Sequence, residues 1–440
     1  VVSLRQRFGP ALYMGGGLAL VGAAGYGFVA LAGHTLPAAE AAAVASLYLL
    51  VNIIGPGLFS ALEQETSRAV SAELVAGRGS GHVMRHAVLL AAGMLAAVVL
   101  VLLVVSPVLT GQALAGRWGL FLAVLLSVAT SAAVYLVRGL LGGSQRFGGY
   151  GATLAAEGVA RILPCIAIAV SGAPNAVGYA LFFAAGSGFG ALAGVFWLRR
   201  PAQPADVDPA EIEPSTGSRG QMARGLSFLV GGTVLMLVVM NVAPVVVTPR
   251  LGEQAATAAA FASAFVLARI PLFLFAPVQA MLLPALTRAA SRGEYGEVRA
   301  KLRLILLAVA AIGLPAVLVS FVVGPWAVQV LFGAEVRLSG VVVGLLGVST
   351  IGLMVSQVLQ PGLIALGRHR VVTGAWLAGA VVLVALLALP GDPIRAGVLA
   401  QLAGAALVVS IMLAALGRTL RTRMAPSGER ASAGVVTTSG

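Results

Sequence analysis

Two arginines stand in the middle of apolar stretches. Arg269 interrupts Val266-Leu267-Ala268-Arg269-Ile270-Pro271-Leu272, and Arg161 lies in another such stretch, four residues after Glu157. A charge at that depth is costly and marks a functional position unless it is paired. A guanidinium offers a planar fork of donors that suits phosphate oxygens. Arg269 is therefore read either as an anion ligand or as a static partner of a carboxylate or backbone carbonyl. Pro271 removes a backbone donor beside it and loosens the preceding turn. The four-residue spacing puts Glu157 and Arg161 on one helix face. They are either a self-satisfied pair or a cavity pair whose charge balance changes when an anion arrives. Asn52 and Gln279 stand in comparable apolar stretches of the two halves, and Gln357 and Gln360 in a third. Such amides either join helices or line a hydrophilic path. Glu63, Glu65 and Arg68 end one apolar stretch and read as interfacial.

Other chemistries lack their residues. Four scattered His and one Cys, Cys165, offer no metal-ligand spacing, so neither metal nor cofactor is expected. The chain has no Gly-Lys-Ser phosphate loop and no paired acids at a folded site. No enzymatic activity is expected. Arg5 and Arg7 precede an apolar segment that continues without a convincing cleavage site, which reads as a retained first transmembrane helix.

The elements that position these residues follow from composition. Of 440 residues, 59% are hydrophobic and 10% charged. Twelve apolar spans fall near 10–32, 38–62, 86–106, 115–138, 150–171, 175–198, 224–248, 255–283, 302–323, 338–366, 371–389 and 394–417. Spans of this length must satisfy their backbone internally, so they are helices. The expected fold is an all-α polytopic membrane protein of twelve transmembrane helices. The net charge is +13, with 22 of the 28 basic residues in alternate loops and the tails, and four, Arg117, Arg250, Arg337 and Arg395, in the others. That asymmetry predicts a multi-pass protein of the cytoplasmic (inner) membrane with both termini cytoplasmic. The basic excess meets membrane lipids, not nucleic acid.

A Pro- and acid-rich segment, 199–223, separates an N-terminal lobe (1–198) from a C-terminal lobe (224–417), and a basic, then Ser/Thr/Gly-rich tail (418–440) reads as disordered. The lobes repeat. Gly16-Gly17 matches Gly231-Gly232, Ser67-Arg68 matches Thr287-Arg288, and Gly139 to Arg146 matches Gly362 to His369. Six spans per lobe make the repeat parallel. Gly16, Gly231, Pro56, Pro271 and Pro277 are the expected helix bends.

Two segments carry a resemblance: Pro277-Val278-Gln279-Ala280-Met281-Leu282-Leu283-Pro284-Ala285-Leu286-Thr287-Arg288, and Gly139-Leu140-Leu141-Gly142-Gly143. They resemble helix ends in the polysaccharide-transport branch (Wzx-like flippases) of the multidrug/oligosaccharidyl-lipid/polysaccharide (MOP) exporter superfamily. The resemblance implies a V-shaped, MATE-like pair of lobes. It also implies flipping of a lipid-linked oligosaccharide by alternating access, with polysaccharide-assembly proteins as further partners. Two departures matter. The chain has no room for the two extra helices of lipid II flippases. Its first and seventh spans lack the carboxylate that drug/cation antiporters place there. A cation-coupled multidrug exporter and an integral-membrane glycosyltransferase or polymerase are the rival readings.

Overall fold

Long apolar runs give helices that stay continuous through internal prolines such as Pro107 and Pro164, and the computed structural model describes residues 4–75, 81–199, 219–272 and 289–424, with Phe275, Leu282, Leu286 and Thr287. The first lobe comprises α1 (Leu4–Thr35), α2 (Ala38–Val75), α3 (Gly81–Ala113), α4 (Trp118–Gly143), α5 (Phe147–Val170) and α6 (Ala176–Leu198). The second comprises α7 (Arg219–Arg250), α8 (Ala255–Ala268), α9 (Tyr295–Val322), α10 (Gly324–Phe332), α11 (Gly340–Ala365), α12 (His369–Leu387) and α13 (Pro393–Met424). Among the described residues, twelve helical segments are long and apolar enough to cross a membrane. An even number of crossings puts both ends on one face, here called the termini face; the other is the distal face.

Several helices outrun the apolar spans. α2 continues through Glu63, Glu65 and Arg68 to Val75 instead of ending there. Its polar last turns contain good helix formers, and Arg68 bonds Glu65 at 2.6 Å. α13 continues to Met424, into the segment read as tail, with Arg421 and Arg423 in its last turn facing the helix dipole. α7 starts at Arg219, inside the segment read as linker. α8, expected to run unbroken to 283, stops at Ala268, with Arg269 as its C-cap two residues before Pro271. The distal stretch after α9 is not only loop: Gly324-Pro325 starts the short helix α10.

Within the first lobe α2 packs on α4, α1 on α5, and α6 on both α4 and α5. Glycine allows the α2–α4 approach. A Cβ on Gly139 would lie 2.8 Å from the Glu63 carbonyl oxygen, and one on Gly143 would lie 2.6 Å from that of Ser67. The polar end of α2 and the glycine-rich end of α4, both conspicuous in the sequence, thus meet each other.

The repeat is visible in the backbone. After α4, amides of Ser144, Gln145 and Arg146 bond the carbonyls of Leu140, Gly142 and Leu141; after α11, Leu366, Gly367 and Arg368 bond Gly362, Ile364 and Leu363. Gln145 and Gly367 share a left-handed φ, 56° and 75°. Equivalent positions are therefore 222 apart, one short of the register suggested by the letters, and Arg146 corresponds to Arg368 rather than His369. Each arginine ties its turn to the last helix of its lobe. Arg146 Nη1 donates to the Trp197 and Leu198 carbonyls at 2.8 and 3.1 Å. Arg368 Nε donates to Thr419 Oγ1 at 3.2 Å.

The lobes meet along α2 against α7 and α8. At the distal face α1 also meets α10. Gly33 sits so close to the Phe332 carbonyl that a Cβ would overlap it, and Gly333 lies against the Gly33 carbonyl. The His34 ring nitrogens face the Ala30 and Val330 carbonyl oxygens at 2.8 and 3.1 Å.

Candidate functional site

The first lobe holds a buried charge cluster drawn from three helices. Glu157 of α5 is 4% exposed. Its Oε2 accepts from Arg138 of α4. Its Oε1 pairs with Arg161 Nη2 at 2.5 Å and accepts from Ser187 Oγ of α6 at 2.7 Å. Arg161 Nη2 also donates to Ser187 Oγ at 2.9 Å. Arg138 Nε donates to Thr153 Oγ1 at 2.9 Å, and Tyr150 Oη donates to Glu63 Oε1 at 2.6 Å. The guanidinium of Arg161 lies 4.5 Å from the Phe183 ring centre. Two guanidiniums stand against Glu157, and Glu63 is close enough to Arg138 to offset part of their charge. Arg161 Nε, buried, has no partner among the described residues.

Arg138 was not among the residues expected here. It stands near the end of an apolar span, before Gly139, where a basic residue reads as interfacial. Its partner is 19 residues away on another helix, beyond any periodicity. The repeat held a signal: at the 222-residue spacing, Arg138 corresponds to Gln360, well inside α11. At the same spacing Thr153, Glu157 and Arg161 correspond to Ala375, Gly379 and Leu383. In the second lobe Leu383 is fully buried, and Gly379 packs so that a Cβ would sit 3.2 Å from the Gly404 carbonyl. The bundle can therefore be built without the charges, and the first lobe carries them in addition.

The second lobe places Arg269 where α8 breaks. It is 8% exposed. Its Nε donates to the Met240 carbonyl of α7 at 3.2 Å and its Nη1 to Thr350 Oγ1 of α11 at 2.9 Å. It stacks 4.3 Å from the Phe265 ring centre. Its Nη2 is buried without a partner, and no carboxylate pairs with it among the described residues. Gln357 Nε2 lies 3.8 Å from Met240 Sδ in the same patch. Gln360 instead accepts from Trp376 Nε1 at 2.8 Å.

Aromatic side chains of α1 and α2 lie near both arginines. Tyr48 is within electrostatic reach of Arg161 and of Tyr26, and Tyr26 is within reach of Arg269. Phe28 stacks on Phe183 at 4.3 Å. Asn52, one turn from Tyr48, donates to the Tyr48 carbonyl at 2.8 Å, so part of its amide serves its own helix.

The proposed bends divide. α1 is helical through Gly16, α7 through Gly231 and α2 through Pro56. Nothing lies within 4 Å of a Cβ built on Gly16 or Gly231; the close approach in α1 falls on Gly17, 2.8 Å from Leu154 Cβ. Pro271 coincides with a helix break. Gln279 and Pro277 lie outside the described residues.

No family model matches the sequence. An uncharacterized protein of Mycobacterium tuberculosis (strain ATCC 25618 / H37Rv) is 26% identical over 420 residues, 93% of this chain and 92% of its own. Another from the same strain is 26% identical over 321 residues, 71% and 70% of the two chains. Among solved structures, an inward-facing multidrug resistance MATE family transporter of the MOP superfamily aligns with a TM-score of 0.67 at 15% identity, over 92% of this chain and 96% of its own. A MATE transporter of Vibrio cholerae aligns at 0.64 and 16% identity, over 95% and 97%. The lipid II flippase MurJ in an inward closed conformation aligns at 0.64 and 11% identity, over 94% and 89%. This chain is a multi-pass membrane protein that shares its fold with these transporter structures.

Proposed function

We propose that this chain, built on the MOP-superfamily fold, is a transporter that carries an anionic amphiphile across the cytoplasmic membrane by alternating opening of its two lobes. The substrate class is a lipid-linked oligosaccharide, and the process served is cell-surface polysaccharide assembly. The termini face is cytoplasmic on this reading, because alternate loops and tails on that side hold most of the basic residues. One observation carries the proposal. Arg269 is buried at the break of α8, lacks a carboxylate among the described residues, and keeps one N–H without a partner. An unpaired buried cation is strongly unfavourable in the resting protein, so an anion that reaches it gains a ready site. Arg161, stacked on Phe183 and also holding an unpartnered N–H, would offer a second contact from the other lobe.

A second reading, a cation-coupled multidrug exporter, draws support from the MATE structures that share the fold. Its weakness is electrostatic: the buried groups around Glu157 and Arg269 sum to positive charge, which disfavours a cationic drug.

The test uses purified protein in liposomes. A fluorescent polyprenyl-diphosphate-linked sugar is scored for leaflet exchange by dithionite quenching, with a parallel arm for efflux of a cationic dye. Sugar-lipid exchange that falls at least tenfold in Arg269→Gln, with normal protein recovery, supports the proposal. Dye efflux without sugar-lipid exchange favours the exporter. Unchanged exchange in Arg269→Gln removes the argument from charge.

A further inference from the structure

On the outer wall of the second lobe, away from the seam between lobes, α9 and α13 stand apart over a floor provided by α11. The groove between them holds about 310 Å³ and is lined by Leu302, Leu306, Leu307, Leu359, Leu413, Leu416 and Leu420, with Arg299 and Arg303. Its end at the termini face is bridged: Arg423 Nη1 donates to Tyr295 Oη at 2.7 Å and stacks 5.5 Å from that ring. At 1.5 Å per residue, Arg299 lies about 6 Å and Leu306 about 17 Å along α9 from Tyr295. Arg299 and Arg303 therefore sit nearer the termini face, level with Leu302 and Leu420, and Leu306, Leu307 and Leu413 lie deeper.

The two arginines are four residues apart, so they share a face of α9. They are exposed, and neither meets a carboxylate among the described residues. Their neighbour Lys301 differs, pairing with Glu297 at 2.6 Å. The groove thus has an apolar body and a doubly cationic rim. Water is a poor occupant, because its floor offers leucine side chains and no polar partner. A zwitterionic lipid would also bring a phosphate to the rim, but its ammonium would add a positive charge beside the two arginines, which an anionic lipid does not.

We infer that this groove holds one anionic phospholipid from the leaflet at the termini face. Its phosphate sits between Arg299 and Arg303, and one acyl chain runs along Leu302, Leu306, Leu413 and Leu416. The site lies apart from Arg269 and Arg161, so it stands whatever the transported molecule is.

The test is native mass spectrometry of the whole chain released from mixed phosphatidylglycerol/phosphatidylcholine nanodiscs, read as the affinity ratio of the two lipids. Arg299→Gln/Arg303→Gln should weaken phosphatidylglycerol binding roughly thirtyfold, at about 1 kcal/mol for each basic residue near an anionic surface. Leu306→Trp fills the groove without changing charge and should also expel the lipid; Leu413→Trp serves if that variant does not fold. Arg85→Gln/Arg370→Gln removes two exposed charges outside the groove and should leave binding intact. Equal retention of both lipids by the wild type would overturn the inference. So would equal weakening by the control pair, which would reveal only diffuse attraction, or undiminished binding in a folded groove-filled variant.

Discussion

Replacing Glu157 by Gln should be more damaging than replacing either arginine it holds. The carboxylate accepts from Arg138, Arg161 and Ser187, and its side chain is 5% exposed. An amide at that position would keep the shape but leave two guanidiniums facing each other in a water-poor interior. Removing one member of a buried ion pair costs about 3–5 kcal/mol, because the remaining charge is uncompensated. Arg161→Met leaves the opposite balance: Arg138 and Glu157 remain as a neutral pair. It forfeits a hydrogen bond to Ser187 and the stacking on Phe183, each about 1 kcal/mol. Against that, the unpartnered Nε disappears with it, so the net loss should be under about 2 kcal/mol. Adding Arg161→Met to Glu157→Gln should recover stability, with a coupling of about 1–3 kcal/mol. Unfolding of the purified proteins in a fixed detergent, followed by steric trapping, measures all three. A Glu157→Gln protein as stable as the wild type, or an Arg161→Met protein less stable than Glu157→Gln, would refute the charge-balance reasoning. Stability held while transport changes would instead put the cluster on the substrate path.

Gly143→Val should abolish recovery of folded protein, since a Cβ there meets the Ser67 carbonyl at 2.6 Å. Gly16→Leu/Gly231→Leu has open space at both sites and should fold; if those helices bend during transport, exchange falls, and undiminished exchange removes the hinge assignment. Arg146→Ala should cost about 1.5–3 kcal/mol through two lost charged hydrogen bonds, and Arg368→Ala, exposed with one bond at 3.2 Å, under about 1 kcal/mol; their effects should add because they act in separate lobes, and strong coupling in the double variant would contradict the two-lobe picture. Arg269→Lys should restore exchange only partly relative to Arg269→Gln, because an ammonium keeps charge but loses the fork; full restoration would argue for a point charge alone. A thiol introduced by Asp392→Cys should react with an impermeant reagent outside intact cells while one introduced by Ser291→Cys should not, and the reverse pattern would invert the proposed orientation.

The twelve crossings were legible because each is a run of about twenty apolar residues, a signal that needs no tertiary context. Where helices continue beyond the apolar core, that signal vanishes. α2 past Leu62 and α13 past Gly417 are held by polar contacts and packing that hydropathy does not register. α10 was invisible for another reason: nine residues beginning Gly-Pro look like a turn. In the site, Arg161 and Arg269 stood out because apolar neighbours surround them on both sides. Arg138 did not, having Gly139 and a polar turn nearby. The letters also aligned glycine with glycine and so slipped by one residue, whereas the left-handed backbone at Gln145 and Gly367 sets the register. A positive φ can be shared by two residue types, which makes it a repeat marker that letter matching cannot see.

The distal contact between α1 and α10 is made mostly of main chain, with Gly33 against Phe332 and Gly333 against Gly33. Backbone inside a helix is ordered whether or not the contact exists, so parting it releases few rotamers and closing it freezes few. At its centre backbone meets backbone, with the buried Phe332 side chain and the His34 ring beside it. Dispersion contributes only about 0.1–0.2 kcal/mol per atom pair. Such a seam fits closely while ordering few side chains. Its shut and parted forms would then be close in free energy, and small differences elsewhere, including whatever occupies the space between the lobes, could decide which one prevails.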